Sequence, residues 1–275
     1  MHDTELPPAT LEGWYLLHQL FRLPWPALKQ LPADRTAAMA SELAGVLADA
    51  SASPEGGWSG VYRIYGGGSD LLFLHFRPSL EEIGQAERTL QLTELGDHLQ
   101  LTRDYVSVVE LGLYALTTDL AHRMAERDEP VSPEEWAAEV EAALAEHREL
   151  GYVQRRLHPV QPEEMPYVCF YPMNKRRSGD RNWYTLSLEQ RSQLMHEHGT
   201  VGRRYAGRIS QIISGSMGLD DWEWAVTLFA RDPLDFKDVV TEMRFDKASA
   251  EYAEFGDFYV GKRVRPDEWE GIETW

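Results

Sequence analysis

Two histidines on a predicted helix are candidate metal ligands because of their residue type and close spacing. His196 and His198 flank Glu197, but a zinc protease motif needs its two histidines four residues apart. Here they are two apart, about 200° around the helix axis, so they cannot chelate one metal ion together. His198 shares its face with Leu194 and Met195, which predicts burial, whereas the polar neighbours of His196 predict exposure.

His198 therefore has two interpretations. A single histidine on an apolar helix face is more often a hydrogen-bonded core residue than a metal ligand. It could also be a single axial ligand, which is how haem iron is often held.

A second group of candidate residues lies on the strand predicted before that helix. The alternation of the strand places Tyr167, Cys169 and Tyr171 on one face. Cys169 is the only cysteine, and no nucleophile motif surrounds it, so we interpret it as a small buried apolar residue. A basic turn, 174–180, follows the strand.

Gln211 is the polar residue of a later strand-like run, 209–216. Its apolar neighbours predict burial, and a buried glutamine needs hydrogen-bond partners or a ligand. Core or turn packing is the simpler interpretation of this residue.

The charge of the chain is unevenly distributed. The 275 residues carry a net charge of −18, yet the segment from Arg155 to Arg208 holds ten basic and five acidic residues, a net +5. The rest therefore carries −23. A local basic site inside an acidic shell suits a small polyanion better than a nucleic acid. The alternative is that these arginines pair with acidic surface groups, as surface charges commonly do.

The composition is that of an ordinary globular protein, with 43% hydrophobic and 26% charged residues. No stretch of about 18 apolar residues occurs, so we expect no transmembrane helix. The acidic start, residues 1–5, is not followed by an apolar run, so we expect no signal peptide. A single cysteine cannot form an intrachain disulfide, and a cytoplasmic location is the expectation.

Each half of the chain has a similar order of predicted elements, strand–strand–helix–strand. In the first half, we predict strands in 14–23 and 105–116 and a helix over 34–50. A hairpin is predicted from the strands 61–65 and 71–76, with its turn from Gly66 to Asp70. A further helix is predicted after Pro78, with Leu80 and Ile83 on its inner face. The second half has a strand over 222–229 and a helical pattern from Phe236 to Met243. Ser132 and Ser187 each open a capping box, and the helix from Ser187 is expected to end at His198, before Gly199. The segment 53–57 is predicted as a loop.

The repeated order predicts an α+β fold of two related units. We predict an N-terminal unit at 1–125, a connecting helix within 126–152 and a C-terminal unit at 153–275. Each unit would pack helices on an antiparallel sheet.

Several uncommon motifs occur in order along 166–260 and resemble those of a known family. They are Tyr167 to Lys175 (YVCFYPMNK), Asn182 to Tyr184, Met195 to Gly199, Gly202-Arg203, Tyr205 to Gly207, Gln211 to Ser216, Asp221 to Trp224 and Met243 to Asp246. Together they resemble the coproheme decarboxylases, the peroxide-dependent, haem-forming branch of the chlorite dismutase family.

The resemblance implies a fold and a set of site residues. The fold would be two tandem ferredoxin-like units with antiparallel sheets, of the dimeric α+β-barrel type, in a ring of five subunits. His198 would be the proximal iron ligand, Tyr171 the catalytic tyrosine and Gln211 a residue over the distal face. Lys175 would pair with a reacting propionate or relay a proton. The remaining site residues implied are Arg156, Arg244 and Ser249 at the propionates, and Tyr114 and Met173 along the pocket.

The resemblance also implies a reaction. Iron coproporphyrin III (coproheme), which is both substrate and redox centre, would react with hydrogen peroxide, and two propionates would become vinyl groups to give haem b. A transient contact with the porphyrin ferrochelatase is a further implied partner. Chlorite-decomposing members carry an arginine where this chain has Gln211, and a neutral glutamine positions an anion less well.

Three alternatives remain at this point. The first is a haem-binding carrier or sensor without turnover. The second is a chlorite-decomposing oxidoreductase, which the glutamine at position 211 disfavours. The third is a barrel protein without a cofactor, in which His198 is a core residue.

Overall fold

The computed structural model describes residues 7–50 and 55–265. In the N-terminal half the described elements are β1 (Thr10–Arg22), α1 (Trp25–Leu28), α2 (Ala33–Ala50), β2 (Trp58–Ile64), β3 (Leu71–Arg77), α3 (Leu80–Gln91), β4 (Gln100–Gly112) and α4 (Tyr114–Ala125). The predicted loop at 53–57 lies partly outside the described residues.

Two helices connect the halves, α5 (Pro133–Arg148) and α6 (Gly151–Leu157). The C-terminal half follows with β5 (Tyr167–Lys175), α7 (Leu188–Arg203), β6 (Ile209–Gly215), β7 (Trp224–Ala230), α8 (Leu234–Met243), α9 (Lys247–Tyr252), β8 (Ala253–Phe255) and β9 (Tyr259–Val264). Among the described residues, no helix combines the length and the apolarity that a membrane crossing requires.

The described strands form one antiparallel sheet that closes on itself. Their order is β7-β6-β4-β1-β3-β2-β9-β5-β8, and an additional pairing of β7 with β5 completes a barrel. Within the barrel, β4-β1-β3-β2 come from the first half, and β9-β5-β7-β6 repeat that order in the second. Each half is thus a strand–helix–strand–strand–helix–strand unit, and the predicted α+β fold of two ferredoxin-like units is confirmed.

The interior of the barrel is an apolar core shared by both halves. Trp58 and Phe76 from the first half stack at 4.3 Å between ring centroids, and Phe229 from the second half lies 6.4 Å from Trp58. Phe76 and Phe229 are fully buried. The outer face of each half-sheet carries its own apolar cluster beneath helices.

Most of the sequence-predicted elements are found close to their expected bounds. The helix over 34–50 is α2, the hairpin is β2 and β3, and both capping boxes are present, at Ser132 and Ser187. The three glycines 66–68 of the hairpin turn have φ values of 76°, 68° and 77°, a backbone region that other residues rarely adopt.

Three local expectations were wrong. The strand expected over 105–116 ends at Gly112, and Tyr114 instead begins α4. Leu80 is 41% exposed because it is the first residue of α3, at the solvent end of the helix. The helix from Ser187 does not stop at His198, since α7 continues through Gly199 to Arg203.

Candidate functional site

Strand β5 presents the predicted catalytic residues on the outer face of the C-terminal half-sheet. Tyr171 and Cys169 belong to the apolar cluster on that face, and Tyr167 and Met173 pack against it. The alternation predicted from the sequence is therefore confirmed. Lys175, two residues after Met173, continues the same face at the end of the strand.

The Tyr171 ring is held by two phenylalanines. It stacks on Phe258 at 4.3 Å and lies 5.8 Å from Phe255. Its side chain is 5% exposed, and burial raises the pKa of its phenol, an effect that the nearby guanidinium of Arg244 opposes. The phenol is therefore neutral over the physiological pH range and keeps its O–H group.

The Arg244 guanidinium lies 3.8 Å above the Phe255 ring, at the end of α8. Arg244 is exposed. Among the described residues it makes no ion pair, so its charge is available to an anion from solvent.

Lys175 is a buried cation. Its Nζ lies 4.3 Å above the Trp183 ring and 3.4 Å from the carbonyl oxygen of Ala248, to which it donates a hydrogen bond. Burial lowers the pKa of the ammonium to about 8, although Asp246 and Glu223 favour its charged form. Lys175 therefore changes charge within a pH range in which an enzyme could use it.

His198 is the central residue of the site. It lies on α7, which the Ser187 capping box begins. Its Nδ1 is 3.1 Å from Oδ2 of Asp246 and 3.5 Å from Oγ of Ser249. A carboxylate partner places the ring proton on Nδ1, which leaves Nε2 as the nitrogen with a lone pair for a metal.

Asp246 is a residue that sequence analysis missed as a partner of His198. It caps α9, where its Oδ1 accepts a hydrogen bond from the backbone N–H of Ser249. Burial raises the pKa of this carboxyl, but the hydrogen bonds from His198 and Ser249 outweigh burial and lower it overall. The cap pattern of Asp246 could have been found in the sequence. Its contact with a histidine 48 positions away could not.

The exposure of the two histidines agrees with the helix-face argument in part. His196 is exposed, as predicted. The side chain of His198 retains 24% exposure and is not fully buried, although its neighbour Leu194 is buried. The partial exposure of His198 favours a ligand over a satisfied core histidine.

Gln211 was expected to be buried, and this expectation was wrong. It is exposed on β6, on the same face as Ile209 and Ile213, which pack against the cluster that contains Tyr171. Gln211 is paired with Leu228 of β7, so its exposed side chain marks an uncovered part of the sheet face.

The packing of α7 explains that uncovered area. Among the described residues, its principal neighbours are the helices α4, α8 and α9. The corresponding helix of the first half, α2, instead packs on its strand β2. The side of the sheet that carries Gln211 is therefore less covered by its helix than the corresponding side of the first half.

Tyr114, the remaining aromatic candidate, lies at the side of this site. Its ring meets Trp183 edge-on at 6.3 Å, and both belong to the cluster that includes Leu194. Burial raises the pKa of Tyr114 to about 12. The same cluster underlies Lys175, so Tyr114 and Lys175 share one wall.

Arg156 is the candidate that the structure does not join to the others. It is exposed on α6, which packs mainly against β4 and β1. Like Arg244, it forms no ion pair within the described part of the chain.

Several arginines of the basic segment have acidic partners. Arg176 lies 3.6 Å from Glu254, Arg177 3.6 Å from Glu223 and Arg181 2.8 Å from Glu251. Arg204 pairs with Glu242, and Arg208 pairs with Asp235. The pairing alternative therefore holds for these five, and the local excess of positive charge is largely neutralised.

The sequence pattern of the family described as chlorite dismutase matches residues 36–264. The chain belongs to the chlorite dismutase family. A coproheme decarboxylase from Staphylococcus carnosus is 41% identical over 262 residues, which cover 94% of each chain. A solved haem-binding protein from Thermus thermophilus has a TM-score of 0.79 and 38% identity over 96% of each chain.

Two longer relatives match this chain over most of its length. A putative haem-binding protein from Halobacterium salinarum is 43% identical over 94% of this chain, and one from Natronomonas pharaonis is 39% identical over 95%. The chain spans 49% and 41% of their lengths, about half of each.

Proposed function

We propose that this protein converts coproheme to haem b, using hydrogen peroxide to turn two propionates into vinyl groups. The observation that carries the proposal is the His198–Asp246 pair, on a helix that leaves Gln211 exposed on the sheet face that also carries the buried Tyr171. The nearly full-length likeness to a protein named coproheme decarboxylase supports it.

The residues present fit an iron porphyrin with acidic arms. Nε2 of His198 is the nitrogen left for the iron, and Ile209, Ile213 and Met173 offer apolar contact to a macrocycle. Four propionates need cationic partners. Lys175 supplies one, and Arg156 and Arg244 are cations without an acidic partner among the described residues. Ser249 would add a hydroxyl beside His198, and Tyr114 would line the wall.

The iron and peroxide supply the oxidising equivalents. Tyr171 gives up the hydrogen atom of its phenol, and the resulting phenoxyl group takes a hydrogen atom from a propionate side chain. The propionate then loses carbon dioxide and a second electron and becomes a vinyl group. For each arm, one propionate, one peroxide and one proton yield one vinyl group, one carbon dioxide and two waters.

Lys175 orients the reacting carboxylate and holds or returns the proton at Nζ. Burial of Tyr171 against Phe258 keeps water from its oxygen. The proximal hydrogen bond from His198 to Asp246 increases the basicity of Nε2 as a ligand. Gln211 would stand over the opposite face of the porphyrin.

We also propose the finer context that the resemblance implies. The protein would act in the cytoplasm, as a homopentamer, and would receive coproheme through transient contact with the porphyrin ferrochelatase. The single cysteine, Cys169, is buried, which is compatible with a reducing compartment.

A haem-binding carrier without turnover is the second candidate function. The relatives named as putative haem-binding proteins favour it. It needs His198 and the cationic partners but gives no role to the buried phenol of Tyr171 on the same sheet face. The resemblance implies that Gln211 takes the place of the arginine that holds the anion in chlorite-decomposing members, which argues against chlorite decomposition.

Replacing Tyr171 with phenylalanine separates these functions. We expect Tyr171→Phe to bind coproheme as the wild type does and to lose at least about 100-fold in haem b formation, measured by chromatography after peroxide addition. Tyr167→Phe, four residues earlier on the same strand face, is the matched control and should retain activity. Normal haem b formation by Tyr171→Phe would contradict the proposed role.

A further inference from the structure

A cavity of about 320 Å³ lies in the N-terminal half, away from His198. It is a partly open cavity between the end of α2, α3, β2 and β3, and its lining includes Leu47, Asp49, Ser59, His75, Arg77 and Glu82. Because the two halves have the same order of elements, α2 and β2 correspond to α7 and β6. The cavity thus lies on the face of its unit that corresponds to the candidate haem site.

The guanidinium of Arg77 forms one wall of this cavity. The residue is 7% exposed. Its Nη1 donates hydrogen bonds to the carbonyl oxygens of Trp58 at 2.8 Å and Phe76 at 2.6 Å, and its Nη2 donates to Oγ of Ser59 at 2.7 Å. Three of its five N–H groups are thereby used among the described residues.

The charge of Arg77 lacks an ion-pair partner within the described residues. Glu82 lies on the cavity lining and favours the charged form of Arg77, but it does not approach within ion-pair distance. A buried charge without a partner is costly to keep in a folded protein. An anion in the cavity would remove much of that cost.

His75 is a second polar residue of the cavity, and one of its two ring nitrogens lacks a hydrogen-bond partner among the described residues. It is 3% exposed, and its Nδ1 forms a 2.8 Å hydrogen bond with Oγ of Ser59. Its Nε2 is buried and has no hydrogen-bond partner among the described residues. Burial, followed by the charge of Arg77, lowers the pKa of His75 to about 3, so the ring is a neutral hydrogen-bonding group.

We propose that this cavity binds a small organic monocarboxylate, whose charge pairs with Arg77 and whose polar atoms satisfy His75. A volume of 320 Å³ corresponds to roughly ten water molecules, which suits a small molecule and is too little for a tetrapyrrole. Asp49 and Glu82 also line the cavity, so a ligand with one carboxylate meets less repulsion there than a ligand with two. The site is independent of the proposed haem chemistry.

Trifluoroacetate is a suitable probe, because fluorine NMR line broadening reports its binding to the full chain. We expect saturable binding to the wild type and at least tenfold weaker binding to Arg77→Met. Since Arg77 is buried and its variant could misfold, Ala86→Phe provides a second test. Ala86 lines the cavity from α3, so a phenylalanine there would fill it with Arg77 intact.

Arg244→Ala is the matched control, because it removes an arginine at the other site. Saturable binding that survives in Arg244→Ala and disappears in Ala86→Phe would support the proposal. The ¹⁵N signals of the His75 ring should also shift on binding. Absence of saturable binding to the wild type, or unchanged binding to Ala86→Phe, would overturn it. Coproheme titration of Ala86→Phe should match the wild type, which separates this site from the haem site.

Discussion

The hydrogen bond between His198 and Asp246 is the contact on which the chemistry of the site depends most. It decides which ring nitrogen carries the proton, and in the proposed site it would set how strongly the other nitrogen donates to iron. The helix-face argument singled out His198 but favoured a core histidine, and only the family resemblance implied a ligand role. Sequence reasoning could not identify Asp246 as the partner, because the contact depends on how α9 is placed against α7.

Asp246→Asn should weaken coproheme binding by about 10- to 100-fold, since it removes the negative charge that raises the basicity of the His198 ligand. A coproheme titration followed by absorbance measures this effect. Asp257→Asn is the control, because the Asp257 side chain is 79% exposed. Equal affinities for the two variants would argue against a ligand role for His198.

Coproheme affinity should also depend on pH through Lys175. Burial lowers the pKa of Lys175 to about 8, so the ammonium is charged below this pH and loses its charge above it. Attraction to a propionate is therefore present at pH 7, and we expect affinity to fall about tenfold as pH rises through the region above 8. Lys175→Met should remove this dependence.

The control for this pH profile is Lys262→Met, which removes an exposed lysine on β9. Its titration should show the same pH dependence as the wild type. A profile for Lys175→Met that still falls above pH 8 would assign the titration to another group.

Gln211 shows that the pattern of neighbouring residues is not enough to predict whether a strand residue is buried. Its apolar neighbours along β6 predicted burial, and the structure leaves it exposed. The burial of a strand residue depends on what covers the strand. Here the covering helix, α7, packs on other helices, which the sequence of β6 does not encode.

At the scale of elements, α7 carries His198, and its start is fixed by a capping box. The Ser187 side chain accepts a hydrogen bond from the backbone of Gln190, and the Gln190 side chain accepts one from the backbone of Ser187. The start of α7 could be predicted because capping is local. Its end could not, because contacts with α4, α8 and α9 outweigh the low helix propensity of Gly199.

Ser187→Ala should destabilise α7 by about 1 kcal/mol. It should also weaken coproheme binding, because it destabilises the start of the helix that carries His198. Ser132→Ala removes an equivalent capping box from α5, which has no buried residues, and should leave binding unchanged. Coproheme titrations of both variants measure the difference. Equal losses of affinity would show that the effect is not transmitted through α7.

At the scale of the whole molecule, the two halves share the interior of one barrel. The repeated order of elements could be read from the sequence, since alternation and helical periodicity are local signals. The closure of the sheet could not, because it depends on pairings of β4 with β6 and of β2 with β9, which join residues far apart in the chain.

Phe229→Ala should destabilise the whole chain by about 3–5 kcal/mol, because its ring is fully buried between the halves. The centroid of the Phe229 ring lies 6.4 Å from that of Trp58 and 6.0 Å from that of Tyr62. Urea unfolding followed by circular dichroism measures the loss. Phe245→Ala is the matched control, since Phe245 is 86% exposed and its loss should change stability by less than about 0.5 kcal/mol. A small effect of Phe229→Ala would contradict a common core.

The most direct test of the proposed reaction is the yield of haem b from ferric coproheme and two equivalents of peroxide, in the wild type, His198→Ala and His196→Ala. The wild type and His196→Ala should convert coproheme to haem b, since His196 is exposed on the opposite side of α7. His198→Ala should form little or none. Equal yields from His198→Ala and the wild type, or no haem b from the wild type itself, would contradict the account.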